Sequence, residues 1–199
     1  MKSGQLKELV LQSLEHERGG VLIYQTALQC AVNDGLRNEW EHYLDQTKSH
    51  VTALERICAA LSIDPAEQTP GCRVVRHIGQ ALVEAMNMAL ADGGKDAAEL
   101  VAADCVALAE MKDHSDWQLL GKCTAELSGD AADMLTDAYN RIEDEEDEHL
   151  YHSKGWGREL WLQSLGLSAV LPPPEETARV KSAFGATKAE KESEASRRH

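Results

Sequence analysis

The chain has 199 residues, with 34 acidic against 20 basic side chains and a net charge of −14 at pH 7. That charge argues against sequence-independent binding to nucleic-acid phosphates or to an anionic membrane surface. The opening MKSGQLKELV has no long apolar stretch of the kind a signal peptide carries, and no segment approaches the ~20 apolar residues that span a bilayer. Five cysteines lie far apart with no CxxC pair, so zinc ribbons, rubredoxin-type iron sites and thioredoxin-like motifs are not expected, and reduced thiols point to the cytoplasm. Aromatic residues are few (4 Trp, 4 Tyr, 1 Phe), strand-like alternation is scarce, and Ala, Leu, Glu and Asp dominate, which predicts an all-α protein.

In chain order, a first helix is expected from about Leu6 to Val32, stopped by Asn33-Asp34-Gly35. A second runs from Leu36 to Leu61 and ends before Asp64-Pro65. After the polar stretch Ala66–Gly71, a shorter helix covers Val74–Leu90 and breaks at Asp92-Gly93-Gly94. A fourth runs from Asp96 to Leu127, and a fifth from Ala131 to Leu165 with Gly155 and Gly157 weakening its later turns. Pro172-Pro173-Pro174 ends regular structure, and the Lys-, Glu- and Ser-rich segment from Ala186 to His199 is expected to be disordered. Four long helices with one long middle connection predict an antiparallel four-helix bundle over residues 1–167, with a crossover that contains the short extra helix, and a C-terminal extension over 168–199.

The apolar seams of the long helices are interrupted at one level. Spacing of four and three residues picks out Val10, Leu14, Glu17, Val21, Tyr24, Leu28 and Ala31 on the first helix, all apolar or aromatic except Glu17. The second seam reads Trp40, Tyr43, Thr47, His50, Leu54, Ile57 and Leu61, and the fourth Ala103, Val106, Glu110, Asp113, Trp117, Leu120 and Leu127. The fifth reads Leu135, Tyr139, Ile142, Glu146, His149, Ser153, Trp156 and Leu160. A lone carboxylate in a helical core is costly unless it is paired, protonated or bound to a cation. Glu17, His50, Glu110, Glu146 and His149 at one level therefore point to a metal, and oxygen and imidazole donors suit iron or manganese.

The segments LEHERGGVLIY around Glu17, DQTKSHV around His50, LAEMKDH around Glu110 and EEDEHLYH around Glu146 and His149 carry a family resemblance. Over about residues 5–165 the chain resembles the ferritin-like superfamily, in particular its rubrerythrin and bacterioferritin type of di-iron bundle. The resemblance implies one or two iron or manganese ions per chain, with Glu17 and His50 on one, Glu110 and His149 on the other, and Glu146 bridging. It also implies oxidase- or peroxidase-like oxidoreductase chemistry with dioxygen or peroxide, and a homodimer or larger homo-oligomer. With no rubredoxin-type cysteine cluster, electrons must come from an external donor. The chain departs from the family at Thr47, where a bridging glutamate is expected; Asp113, on the same seam as Glu110, is a candidate extra carboxylate.

A second reading follows from Thr47: a degenerate, metal-free bundle whose seam acids and histidines form a hydrogen-bonded network, with a structural or partner-binding role. A third, a bundle holding a small apolar ligand near the crossover, rests on Met86 and Met88 alone. In the run Glu143–Glu148 only Glu146 has seam register, Glu145 being its nearest rival. Tyr24 and Tyr139 read chiefly as core packing, as do Trp40, Trp117 and Trp156. His16, His42, His77, His114 and His152 lack seam register and are expected at the surface.

Overall fold

The computed structural model describes residues 2–197, with side chains through Ala195. Among the described residues there are seven helices and no strand: α1 (Ser3–Cys30), α2 (Asp34–Ala60), α3 (Pro70–Asp92), α4 (Gly94–Thr124), α5 (Asp130–Ser164), α6 (Pro174–Thr177) and α7 (Ala183–Arg197). Local chemistry sets the boundaries. The Asn33 side chain accepts from Gly35 N and Leu36 N (2.9 and 3.2 Å) to start α2. Thr69 caps α3 by accepting from Cys72 N at 3.1 Å, with Pro70 in the first turn where its missing N–H costs nothing. Gly94 (φ 75°) and Gly129 (φ 69°) take the left-handed conformation at the turns into α4 and α5.

Long helices pack as a bundle in which α1 lies beside α2 and α4, and α5 beside α4 and α2. Cross-helix pairs fix the directions. Tyr24 meets Glu110 and Trp117 meets Glu17, so α1 and α4 run antiparallel; His50 meets Glu145 and Tyr43 meets His152, so α2 and α5 do too. Between α2 and α4 the sequence predicts a short helix from Val74. Helix α3 is instead 23 residues long, because the Thr69 cap and Pro70 start it earlier. It runs parallel to α1, as Glu15–Arg76 and the close approach of Gly79 to Gly19 require, and returns the chain to the far end of the bundle.

The core falls into two apolar clusters with a polar layer between them. Ile23, Tyr24, Trp40, Tyr43, Met86, Val106 and Trp156 pack at one end. Val10, Leu14, Leu54, Ile57, Trp117, Leu120, Leu135 and Ile142 pack at the other. No helix is long and apolar enough to cross a membrane among the described residues.

The C-terminal segment differs from expectation. Composition predicts an irregular tail, yet the chain forms α6 and α7 there; residues 198–199 lie outside the described residues. Its Ala-, Lys- and Glu-rich composition favours helix, and Val180 and Ala189 are buried. Arg158 on α5 grips the buried Glu175 through two hydrogen bonds (2.7 and 2.9 Å), and Lys181 pairs with Asp144 and Glu148. Gly155 makes this docking possible, since a Cβ there would stand 2.6 Å from Glu175 Oε2 and 3.0 Å from Pro173 Cβ. Neither atom can yield easily, one being held by Arg158 and the other by a proline ring. Gly155→Ala should therefore loosen the docked segment by about 1–3 kcal/mol while the helix itself gains up to ~1 kcal/mol. The expected result is preserved helicity with severalfold faster proteolysis within residues 165–182.

Candidate metal centre

The polar layer lies where α1, α2, α4 and α5 face one another. Glu17 (0% exposed), His50 (0%), Glu110 (3%), Glu146 (1%) and His149 (1%) are all buried there. Seam spacing turns each of these side chains inward, and the structure brings all five together. Two groups have ligand atoms close enough to share an ion: Glu17, His50 and Glu146, and Glu110, Glu146 and His149. Glu146 belongs to both. Its Oε1 is 2.9 Å from His50 Nδ1 and 3.7 Å from His149 Nδ1. His50 Nδ1 is 3.4 Å from Glu17 Oε1, and His149 Nδ1 is 3.3 Å from Glu110 Oε2.

Both glutamates from the single-ligand helices are half satisfied. The Trp117 indole N–H donates to Glu17 Oε1, and the Tyr24 hydroxyl donates to Glu110 Oε1, each at 2.8 Å. Their second oxygens remain. Glu17 Oε2, Glu110 Oε2, His50 Nδ1, Asp113 Oδ1 and both oxygens of Glu146 are buried and make no hydrogen bond. Buried polar atoms are almost always paired. A cluster of orphaned lone pairs around one space is what a cation would satisfy.

The histidines are oriented from behind. His50 Nε2 lies 2.7 Å from Glu145 Oε2, and His149 Nε2 lies 2.9 Å from Gln46 Oε1. Both partners accept, so each ring carries a proton on Nε2 and turns Nδ1 inward. An outer hydrogen bond of this kind fixes tautomer and ring angle in metal-ligating histidines. Neither Glu145 nor Gln46 stands on a seam. Each stands one residue before a seam position, 146 and 47, and only the alignment of α2 on α5 brings it behind the facing helix's histidine.

Electrostatics reflects the crowding of acids. Burial raises Glu146 to about 7, against the pull of His50 and His149. Burial also pushes Asp113 well above the carboxylate range, with Glu146, Glu17 and Glu110 adding to it. For His50, burial opposes the charged form but Glu17, Glu145 and Glu146 outweigh it, so its pKa rises well above the ordinary value. His149 is raised in the same way, burial being outweighed by Glu110 and Glu146. Without a cation, this layer retains protons that a neutral-pH solvent would otherwise remove.

Of the two remaining candidates, Asp113 is buried in the layer, one turn from Glu110, but belongs to neither three-residue group. Thr47 is buried too, yet its hydroxyl donates to the Tyr43 carbonyl at 2.8 Å and its methyl faces Gly20. Two histidines expected at the surface are buried. His16 Nε2 donates to the Ala109 carbonyl at 3.0 Å, tying α1 to α4. His152 Nδ1 meets the Tyr43 hydroxyl at 2.8 Å and Glu39 at 3.1 Å, and the Tyr43 ring lies on His149 with centroids 4.1 Å apart. The α2–α5 contact buries His152, a neighbour that single-helix periodicity does not reveal. Tyr139 turns away from the layer to donate to Glu143, while its ring covers Gly121. Burial raises the thiols of Cys30, Cys58 and Cys105 to about 11, so these three are neutral at pH 7. No family model, curated protein or solved structure matches the chain.

Proposed function

We propose that the chain is a ferritin-like metal-binding protein that holds iron or manganese between α1, α2, α4 and α5. The observation that carries this reading is the pair of buried Glu/His groups joined at Glu146, lined by orphaned oxygen and nitrogen lone pairs. The donors fit the group: carboxylate and imidazole without thiolate suit iron and manganese. Glu17 and His50 would hold one ion, Glu110 and His149 the other, with Glu146 shared and Asp113 as an additional carboxylate. When bound, such ions supply one-electron redox chemistry toward dioxygen or peroxide.

The chain's own residues do the positioning. Trp117 and Tyr24 each occupy one glutamate oxygen and leave the second free for the centre. Glu145 and Gln46 hold the histidines with Nδ1 inward. The apolar clusters on either side exclude bulk water. Protons held by Glu146, Asp113 and the histidines are displaced when cations enter, which makes binding weaken in acid.

Thr47 supports the second reading, a metal-free bundle with a structural role, because a neutral pair, Gly20 and Thr47, fills the position of a bridging carboxylate. One experiment separates the two. Protein purified aerobically from iron- and manganese-supplemented cells is counted for metal by mass spectrometry and melted with and without chelator. The metal-binding reading expects one or two ions per chain and a lower melting temperature in chelator, since a ligand at 100 times its Kd stabilises by about 2.7 kcal/mol. Negligible metal and identical melts would leave the metal-free bundle.

A further inference from the structure

The polar layer relates α1 and α2 to α4 and α5 by a two-fold correspondence that breaks in three places. Glu17 corresponds to Glu110, and seven residues on from each stand Tyr24 and Trp117, which donate across to the other helix's glutamate. His50 corresponds to His149, and each is held by the residue four before the other histidine. Against this regular frame, Glu146 corresponds to Thr47, Asp113 to Gly20, and Glu145 to Gln46. In every broken pair the α4–α5 side has a carboxylate and the α1–α2 side a neutral residue.

Glu146 serves both groups, so it does not distinguish them. The break between Glu145 and Gln46 does. Behind His50 stands Glu145, a carboxylate 2.7 Å from Nε2; behind His149 stands only the amide oxygen of Gln46 at 2.9 Å. A negative charge accepting the Nε2 proton makes Nδ1 a stronger donor than an amide dipole does.

We propose that the two metal positions are unequal: the one between Glu17, His50 and Glu146 binds a divalent first-row ion more tightly and fills before the one between Glu110, His149 and Glu146. This rests on the metal-binding reading above. Glu145 is a positioning residue in it, acting through His50 rather than touching the ion.

The test is a calorimetric titration of the metal-free full chain with Co(II). Two steps of one ion each are expected, the first at least about tenfold tighter. Glu145→Gln should weaken the first step by about 10–100-fold and leave the second in place, the range seen when outer partners of metal-bound histidines are removed. Gln46→Glu should tighten the second step, and it adds a charge without deleting a contact, so it decides the matter even if Glu145→Gln loses helicity. Two equal steps in the unmodified chain, or a Glu145→Gln effect confined to the second step, would overturn the inference while leaving metal binding intact. No Co(II) binding at all would overturn both.

Discussion

Glu146→Ala should abolish metal binding at both candidate positions at once, whereas Glu17→Ala or Glu110→Ala should each remove only one. The reason is geometric: Glu146 alone belongs to both groups, and its Oε1 stands between the two histidine Nδ1 atoms. Equilibrium dialysis against Mn(II) with metal counted by mass spectrometry checks this. The ions retained per chain should fall to near zero in Glu146→Ala, and to no more than one in the other two. A Glu146→Ala protein that keeps one ion would show that Glu146 is not shared. The three variants also differ in what they leave behind. Glu17→Ala frees the Trp117 indole and Glu110→Ala frees the Tyr24 hydroxyl, so each strands a buried donor at a cost of ~1–3 kcal/mol.

Metal-free and metal-loaded protein should respond to pH with opposite signs. In the metal-free chain, burial raises Glu146 from 4.5 to about 7, so folding favours its protonated form. That contribution is full below about 4.5 and is lost as pH rises to about 7. His50 and His149 are raised as well, and their contribution is present below 6.5 and fades above it. Glu110 and Glu145 behave oppositely. Burial works against their ionised forms, but His149 and Tyr24 for Glu110, and His50 for Glu145, hold them low, so their contribution is lost as pH falls below about 4.5. The metal-free melting temperature should therefore fall between about pH 5.5 and pH 8. The Glu146 shift alone is worth on the order of 3 kcal/mol. Glu146→Gln, which keeps the shape of the protonated acid, should make the metal-free chain more stable than the unmodified one at about pH 8. With metal present the trend reverses, because ligands must shed protons to bind and affinity climbs with pH. Thermal melts at about pH 5.5, 7 and 8, with chelator and with Mn(II), check both signs. Parallel slopes in the two conditions would contradict the assignment of these groups to a metal.

Packing apolar residues of similar volume in place of a buried ionic cluster is often neutral or stabilising. Glu17, Glu110, Asp113 and Glu146 in one buried layer are thus poorly explained by folding alone.

Much of the centre was legible from residue spacing. Intervals of three and four residues turn a side chain to a fixed face of its own helix, so Glu17, His50, Glu110, Glu146 and His149 could be assigned inward before any tertiary contact was known. Glu145 and Glu146 were separable on the same ground: one step along a helix rotates a side chain by about 100°. Of the two, only Glu146 is buried, to 1% exposure. The helix boundaries at Asn33 and Gly94 were equally local, since capping and left-handed glycine depend on a few neighbouring residues, whereas the Thr69 cap that starts α3 lies ahead of the expected start at Val74.

Tertiary structure decided what lies across a helix interface. That Trp117 serves Glu17 and Tyr24 serves Glu110, that Glu145 stands behind His50 and Gln46 behind His149, and that His16 and His152 are buried all depend on how two helices are aligned against each other. The docking of residues 170–182 onto α5 through Gly155 and Arg158 depends on contacts distant along the chain. Helical periodicity is a property of one segment and is written in its residues. The axial shift and rotation of one helix on another arise from the packing of all of them together, and no single segment contains that information.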